Sequence, residues 1–65
     1  MEEQLSLSIQ LKTARKKSGL TQSELKELCG ISTFTISGIE RGTIKSVTTY
    51  TLQQLQKVLD IKFSL

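Results

Sequence analysis

Apolar residues recur at helical spacing in four stretches of the chain and at strand spacing in one. The first stretch runs from about Ser6 to Lys17, where Leu7, Leu11 and Ala14 fall at i, i+4 and i+7 on one face. Gly19 marks its end, at a position that tolerates positive φ. The second opens at Thr21. "TQSE" spells a capping box, with Thr21 as N-cap and Glu24 reaching back to the free backbone N–H. Leu20 and Leu25 can staple the entry, Cys29 lies one turn beyond Leu25, and Gly30 closes the helix. The third opens at Ser32, turns Ile36 and Ile39 inward, and stops at "ERG" with Gly42. Thr48 caps a fourth, in which Leu52, Leu55, Val58 and Leu59 form a core stripe. In the tail "DIKFSL" the period changes: Ile61, Phe63 and Leu65 alternate with Lys62 and Ser64, which predicts a β-strand. A lone strand leaves its backbone groups unpaired, so a strand here would have to pair outside its own chain.

The pattern predicts one all-α domain over residues 1–65, with a helix-turn-helix at 21–41 and a helix plus strand at 48–65. A chain of 65 residues is marginal on its own, which favours a partner or a dimer as a source of stability. One cysteine excludes an intrachain disulfide. The beginning "MEEQLSLS" is acidic, unlike a secretory signal, and no apolar run approaches a membrane span. The expectation is a cytoplasmic protein that contacts no membrane.

The net charge of +3 changes the picture less than its distribution does. Lys12, Arg15, Lys16 and Lys17 cluster within a short stretch, while Glu2 and Glu3 sit at the extreme N-terminus. The cluster suits either phosphates or a solvated helix end, and charge alone does not choose. The third helix is unusual in another way. It is nearly free of charge until its end and rich in Thr and Ser. Two short helices joined through "CGIS" fit a helix-turn-helix, whose second helix enters the DNA major groove. Thr33, Phe34 and Ser37 suit contact with base edges and thymine methyls, and Lys45 in the next loop suits a flanking phosphate.

These residues carry a family resemblance. "GLTQSEL…GIS…TIS…IERG" resembles the lambda-repressor-like, or Xre-type, helix-turn-helix family over about Leu7 to Leu59. The resemblance implies a compact domain of four to five helices. It implies that Gln22 binds a phosphate near the start of the second helix, and that Thr33, Phe34, Ser37 and Gly38 include the base readers. Ser32, Thr35, Thr43, Lys16, Lys17 and Lys45 complete the expected phosphate-binding set. It further implies a buried ion pair between Arg15 and Glu40, which removes Arg15 from the DNA-contacting cations.

The tail "TLQQLQKVLDIKFSL" resembles the end of HipB-like antitoxins. That resemblance implies a short C-terminal strand paired across a homodimer, with Leu59, Ile61, Phe63 and Leu65 at the interface. It implies a prokaryotic or phage-encoded autoregulator on a palindromic operator, or an antitoxin that neutralises a kinase-like toxin. The chain departs from the family pattern at four places. Lys26 stands where Ala is usual, Leu28 where a polar residue is usual, Gly38 inside the recognition helix, and Asp60 in place of a glycine. Phe34 reads either as a thymine contact or as a ring folded back on the domain. No His, cysteine pair or glycine-rich phosphate loop supports an enzyme, a metal or a cofactor. The function expected is a homodimeric repressor of double-stranded DNA.

Overall fold

The computed structural model describes residues 6–64. Four helices follow one another: α1 Leu7–Lys17, α2 Gln22–Cys29, α3 Thr33–Arg41 and α4 Thr49–Leu59. Each begins with a hydroxyl residue in extended conformation whose side chain accepts a backbone N–H: Ser6 from Ile9, Thr21 from Glu24, Ser32 from Thr35 and Thr48 from Thr51. Such caps satisfy donors that a helix start leaves open, each contributing about 1 kcal/mol. The capping box on α2 is complete, with Glu24 Oε1 accepting from Thr21 N–H at 2.8 Å.

The core gathers one face from every helix. Leu11, Leu25, Ile36, Ile39 and Leu55 are fully enclosed, with Ala14, Cys29, Ile31 and Leu59 around them. Helix α3 packs against α1 and α2, and α2 against α4, so α3 is braced from two sides. Gly30 ends α2 at φ +77 with open space where a Cβ would sit. The turn between α2 and α3 therefore requires glycine for its left-handed backbone rather than for room.

The tail differs from the sequence expectation. Residues 61–64 form no strand. Phe63 is 6% exposed and belongs to the core of its own chain, as does Leu59. Three of the backbone groups that a strand partner could satisfy are taken by two glutamines. Gln56 Oε1 accepts from Phe63 N–H at 2.7 Å. Gln10 accepts from Ser64 N–H at 2.7 Å and donates to the Ser64 carbonyl at 2.9 Å. A side-chain amide offers a donor and an acceptor side by side, so Gln10 bonds one residue of the tail as a neighbouring strand would. Leu59 and Phe63 thus lie in the core of their own chain; Ile61 is half-buried against the same core, and Leu65 lies outside the described residues. The turn into the tail is made by Asp60 itself in the left-handed region, at φ +54.

Candidate nucleic-acid interface

At about 100° per residue, α3 divides into two arcs. Ile36, Ile39 and Glu40 point inward and are buried. Thr33, Ser37, Arg41 and Phe34 fall within about 100° of one another on the other side. Phe34 and Arg41 are exposed, and Thr33 and Ser37 half-buried. Phe34 is 76% exposed, so its ring stands away from the domain. The one acid on α3, Glu40, is buried. The outward arc therefore carries hydroxyls, an aromatic ring and a guanidinium, and no carboxylate. Arg41 was missed by the sequence reading, although its spacing of four from Ser37 and seven from Phe34 places it on that arc.

Gly38 belongs elsewhere. It is buried, and a Cβ on it would collide with the side chain of Ile44. Its missing side chain admits Ile44 of the loop after α3.

Arg15 and Glu40 meet in a two-pronged contact. Arg15 Nε donates to Glu40 Oε2 at 2.7 Å and Nη2 to Oε1 at 2.9 Å, while Nη1 donates to the Leu20 carbonyl at 2.8 Å. Planar guanidinium and carboxylate match in this geometry. The side chains are 11% and 3% exposed. Gln22 Nε2 donates to Glu40 Oε1 at 3.1 Å. Burial pushes the Glu40 carboxyl up, but the hydrogen bonds from Arg15 and Gln22 and the charges of Arg15 and Lys12 outweigh it and hold the group below its ordinary value. The Arg15 guanidinium is raised, chiefly by its hydrogen bond to Glu40. One carboxylate thus ties α1, the start of α2 and the end of α3 together. It also orients Gln22, whose amide carries a second N–H.

The expected phosphate-binding residues separate by where their protons go. Lys16, Lys17 and Lys45 are exposed. The Ser32 hydroxyl donates to Thr35 Oγ1 at 3.1 Å and accepts from Thr35 N–H, so its one proton is used. Thr35 Oγ1 receives that bond and keeps its own proton to give. Thr43 Oγ1 donates to the Gly38 carbonyl at 3.2 Å. Phosphate oxygens accept and do not donate, so among these three hydroxyls only Thr35 is set to reach one in this arrangement. Lys26 and Leu28 are both exposed, with Leu28 at 61%.

The family model described as Helix-turn-helix matches residues 11–65, and the chain belongs to that family, in its lambda-repressor-like, Xre-type branch. Solved structures agree. SinR, the master regulator for biofilm formation, in complex with DNA, is 30% identical with a TM-score of 0.83 over 86% of this chain and 89% of that one. The N-terminal DNA binding domain of SinR is that of Bacillus subtilis. In the SinR–SinI complex the match has a TM-score of 0.82 at 30% identity over 86% of this chain, which spans 54% of the matched chain. The restriction-modification controller protein C.Esp1396I is 30% identical with a TM-score of 0.77, over 86% of this chain and 71% of that one. No curated protein matches the chain significantly. Family and fold are those of DNA-binding regulators rather than enzymes.

Proposed function

We propose that this chain is a sequence-specific DNA-binding regulator of transcription, a repressor that acts in the cytoplasm as a homodimer on a palindromic operator. Helix α3 lies in the major groove. Thr33, Phe34 and Ser37, near its N-terminal end, read base edges and thymine methyls. Gln22, Thr35, Lys16, Lys17, Arg41 and Lys45 hold phosphates around them. Two copies would place their α3 helices about 34 Å apart, one turn of duplex. The observation that carries this reading is the outward arc of α3, free of carboxylates, together with the exposure of Lys16, Lys17 and Lys45. The dimer does not use Leu59 or Phe63, which are buried within one chain. The antitoxin alternative rests on a resemblance of the tail, which folds differently from the strand it implies, so the regulator is the reading proposed.

The test is binding to duplex DNA followed against salt. With about four to five phosphate contacts per protomer, log K should fall with log salt at a slope of roughly −4 per protomer. A slope near zero would contradict phosphate-based binding.

A further inference from the structure

We propose that Gly38 and Ile44 form a latch that positions the loop carrying Lys45, so that Gly38 serves DNA binding without touching DNA. The inference rests on the DNA-binding reading above.

The end of α3 is closed by two bonds: Gly42 N–H to the Ile39 carbonyl at 3.1 Å and Thr43 N–H to the Gly38 carbonyl at 2.9 Å. This is the Schellman arrangement, which usually adds an apolar contact between side chains across the bonds. Here the contact is made differently. The Gly38 carbonyl also accepts from Ile44 N–H at 3.1 Å and from the Thr43 hydroxyl. One carbonyl therefore gathers donors from Gly42 and from both successive loop residues, Thr43 and Ile44. The Ile44 side chain then lies flat on the backbone of α3, where a Cβ on Gly38 would come within 2.6 Å of its Cγ1 and within 3.4 Å of its Cβ. The φ of Gly38 is ordinary helical backbone, so the glycine is required by this approach and not by conformation.

Glycine inside a helix is unfavourable by propensity, and the outward arc gains no side chain from it. The fit to Ile44 is what it supplies. The next residue, Lys45, is exposed. Its backbone thus follows directly on a residue held to α3 by the Gly38 carbonyl and by the close fit of Ile44. Relief of the crowding at χ1 is restricted, because isoleucine is β-branched with few favoured rotamers and one of its two χ1 rotations brings Cγ2 into the same space. The loop can yield instead, and it has room. A cleft of about 230 Å³, walled in part by Leu7, Ile39 and Lys45, lies beside Ile44. Gly38→Ala should therefore leave a folded domain whose loop, and with it Lys45, is displaced.

The test compares wild type, Gly38→Ala, Lys45→Ala, the combination of these two, and Gly38→Ala with Ile44→Ala. In the last, only the Ile44 Cβ remains near the new methyl. Affinity for a random-sequence DNA duplex is measured against salt, with thermal melting alongside. Gly38→Ala should lose about tenfold in affinity, the equivalent of one charge-assisted hydrogen bond, and flatten the salt slope by about one contact. Gly38→Ala should add nothing further to Lys45→Ala, and Ile44→Ala should restore binding to Gly38→Ala. Equal losses that simply add, or affinity that follows melting temperature alone, would overturn the latch. Amide exchange of Thr43 and Ile44 reads the latch without DNA: it should quicken in Gly38→Ala and recover with Ile44→Ala, and unchanged exchange would overturn it. A wild-type chain that binds no duplex would overturn the DNA-binding reading, and the role of the latch in binding with it.

Discussion

Replacing Arg15 by alanine removes a guanidinium that makes three hydrogen bonds, two of them to the buried Glu40 carboxylate. The carboxylate stays behind at 3% exposure with Gln22 as its remaining hydrogen-bond partner. Removing one member of such a pair costs about 3–5 kcal/mol, because the other charge is left buried. A domain of this size has a total stability of roughly 3–10 kcal/mol. The loss is therefore a large share of the whole and corresponds to a fall in Tm of at least about 12 °C. The sign with pH follows from the depressed Glu40 pKa. The contribution of the pair is full above the unfolded value of 4.5 and is lost as pH falls through the lower folded value. The gap between wild type and Arg15→Ala should thus be widest near neutral pH and close in acid. Replacing both partners together, Arg15→Met with Glu40→Leu, removes the charge with its partner and should recover most of the loss. Circular dichroism melts of the three proteins at neutral and acid pH decide the matter. A Tm within about 3 °C of wild type, or a gap that ignores pH, would refute the reasoning.

Phe63→Ala should cost about 3–5 kcal/mol, as an aromatic removed from a packed core, and deleting residues 61–65 should lower Tm without changing the sedimentation coefficient; a change of oligomeric state on deletion would restore the tail as an interface. Ser32→Ala should destabilise the domain by about 1 kcal/mol through its cap, whereas Thr35→Val should leave melting nearly unchanged and weaken DNA binding; melting curves beside titrations separate the two. Asp60→Gly should stabilise by about 0.5–1 kcal/mol, since it relieves a left-handed non-glycine residue, and chemical denaturation measures it.

The helices were legible in the sequence because their signals are local. A hydroxyl cap, an apolar period and a closing glycine act within a few residues of each other, and "TQSE" is matched bond for bond at Thr21 and Glu24. The tail was not legible, because alternation at Ile61 and Phe63 shows which side chains are apolar but not what satisfies the backbone between them. The answer lay in two polar side chains that no periodicity singles out, Gln56 for Phe63 and Gln10, fifty-four residues away, for Ser64. The packing partner of Gly38 was hidden for a related reason. A glycine on a helix surface has no side chain to reveal its neighbour, and the neighbour, Ile44, is reached only after the chain turns at Gly42. Arg41, by contrast, was within reach of the sequence, since helical spacing alone sets it beside Ser37 and Phe34.

The central claim is that the outward arc of α3 reads bases. Selection of bound sites from random duplex DNA, repeated with Thr33→Ala and Ser37→Ala, tests it most directly. The account predicts a two-fold symmetric motif for the wild-type chain, with preference relaxed at separate base positions in each variant. No enriched motif, or one that both variants reproduce unchanged, would contradict it.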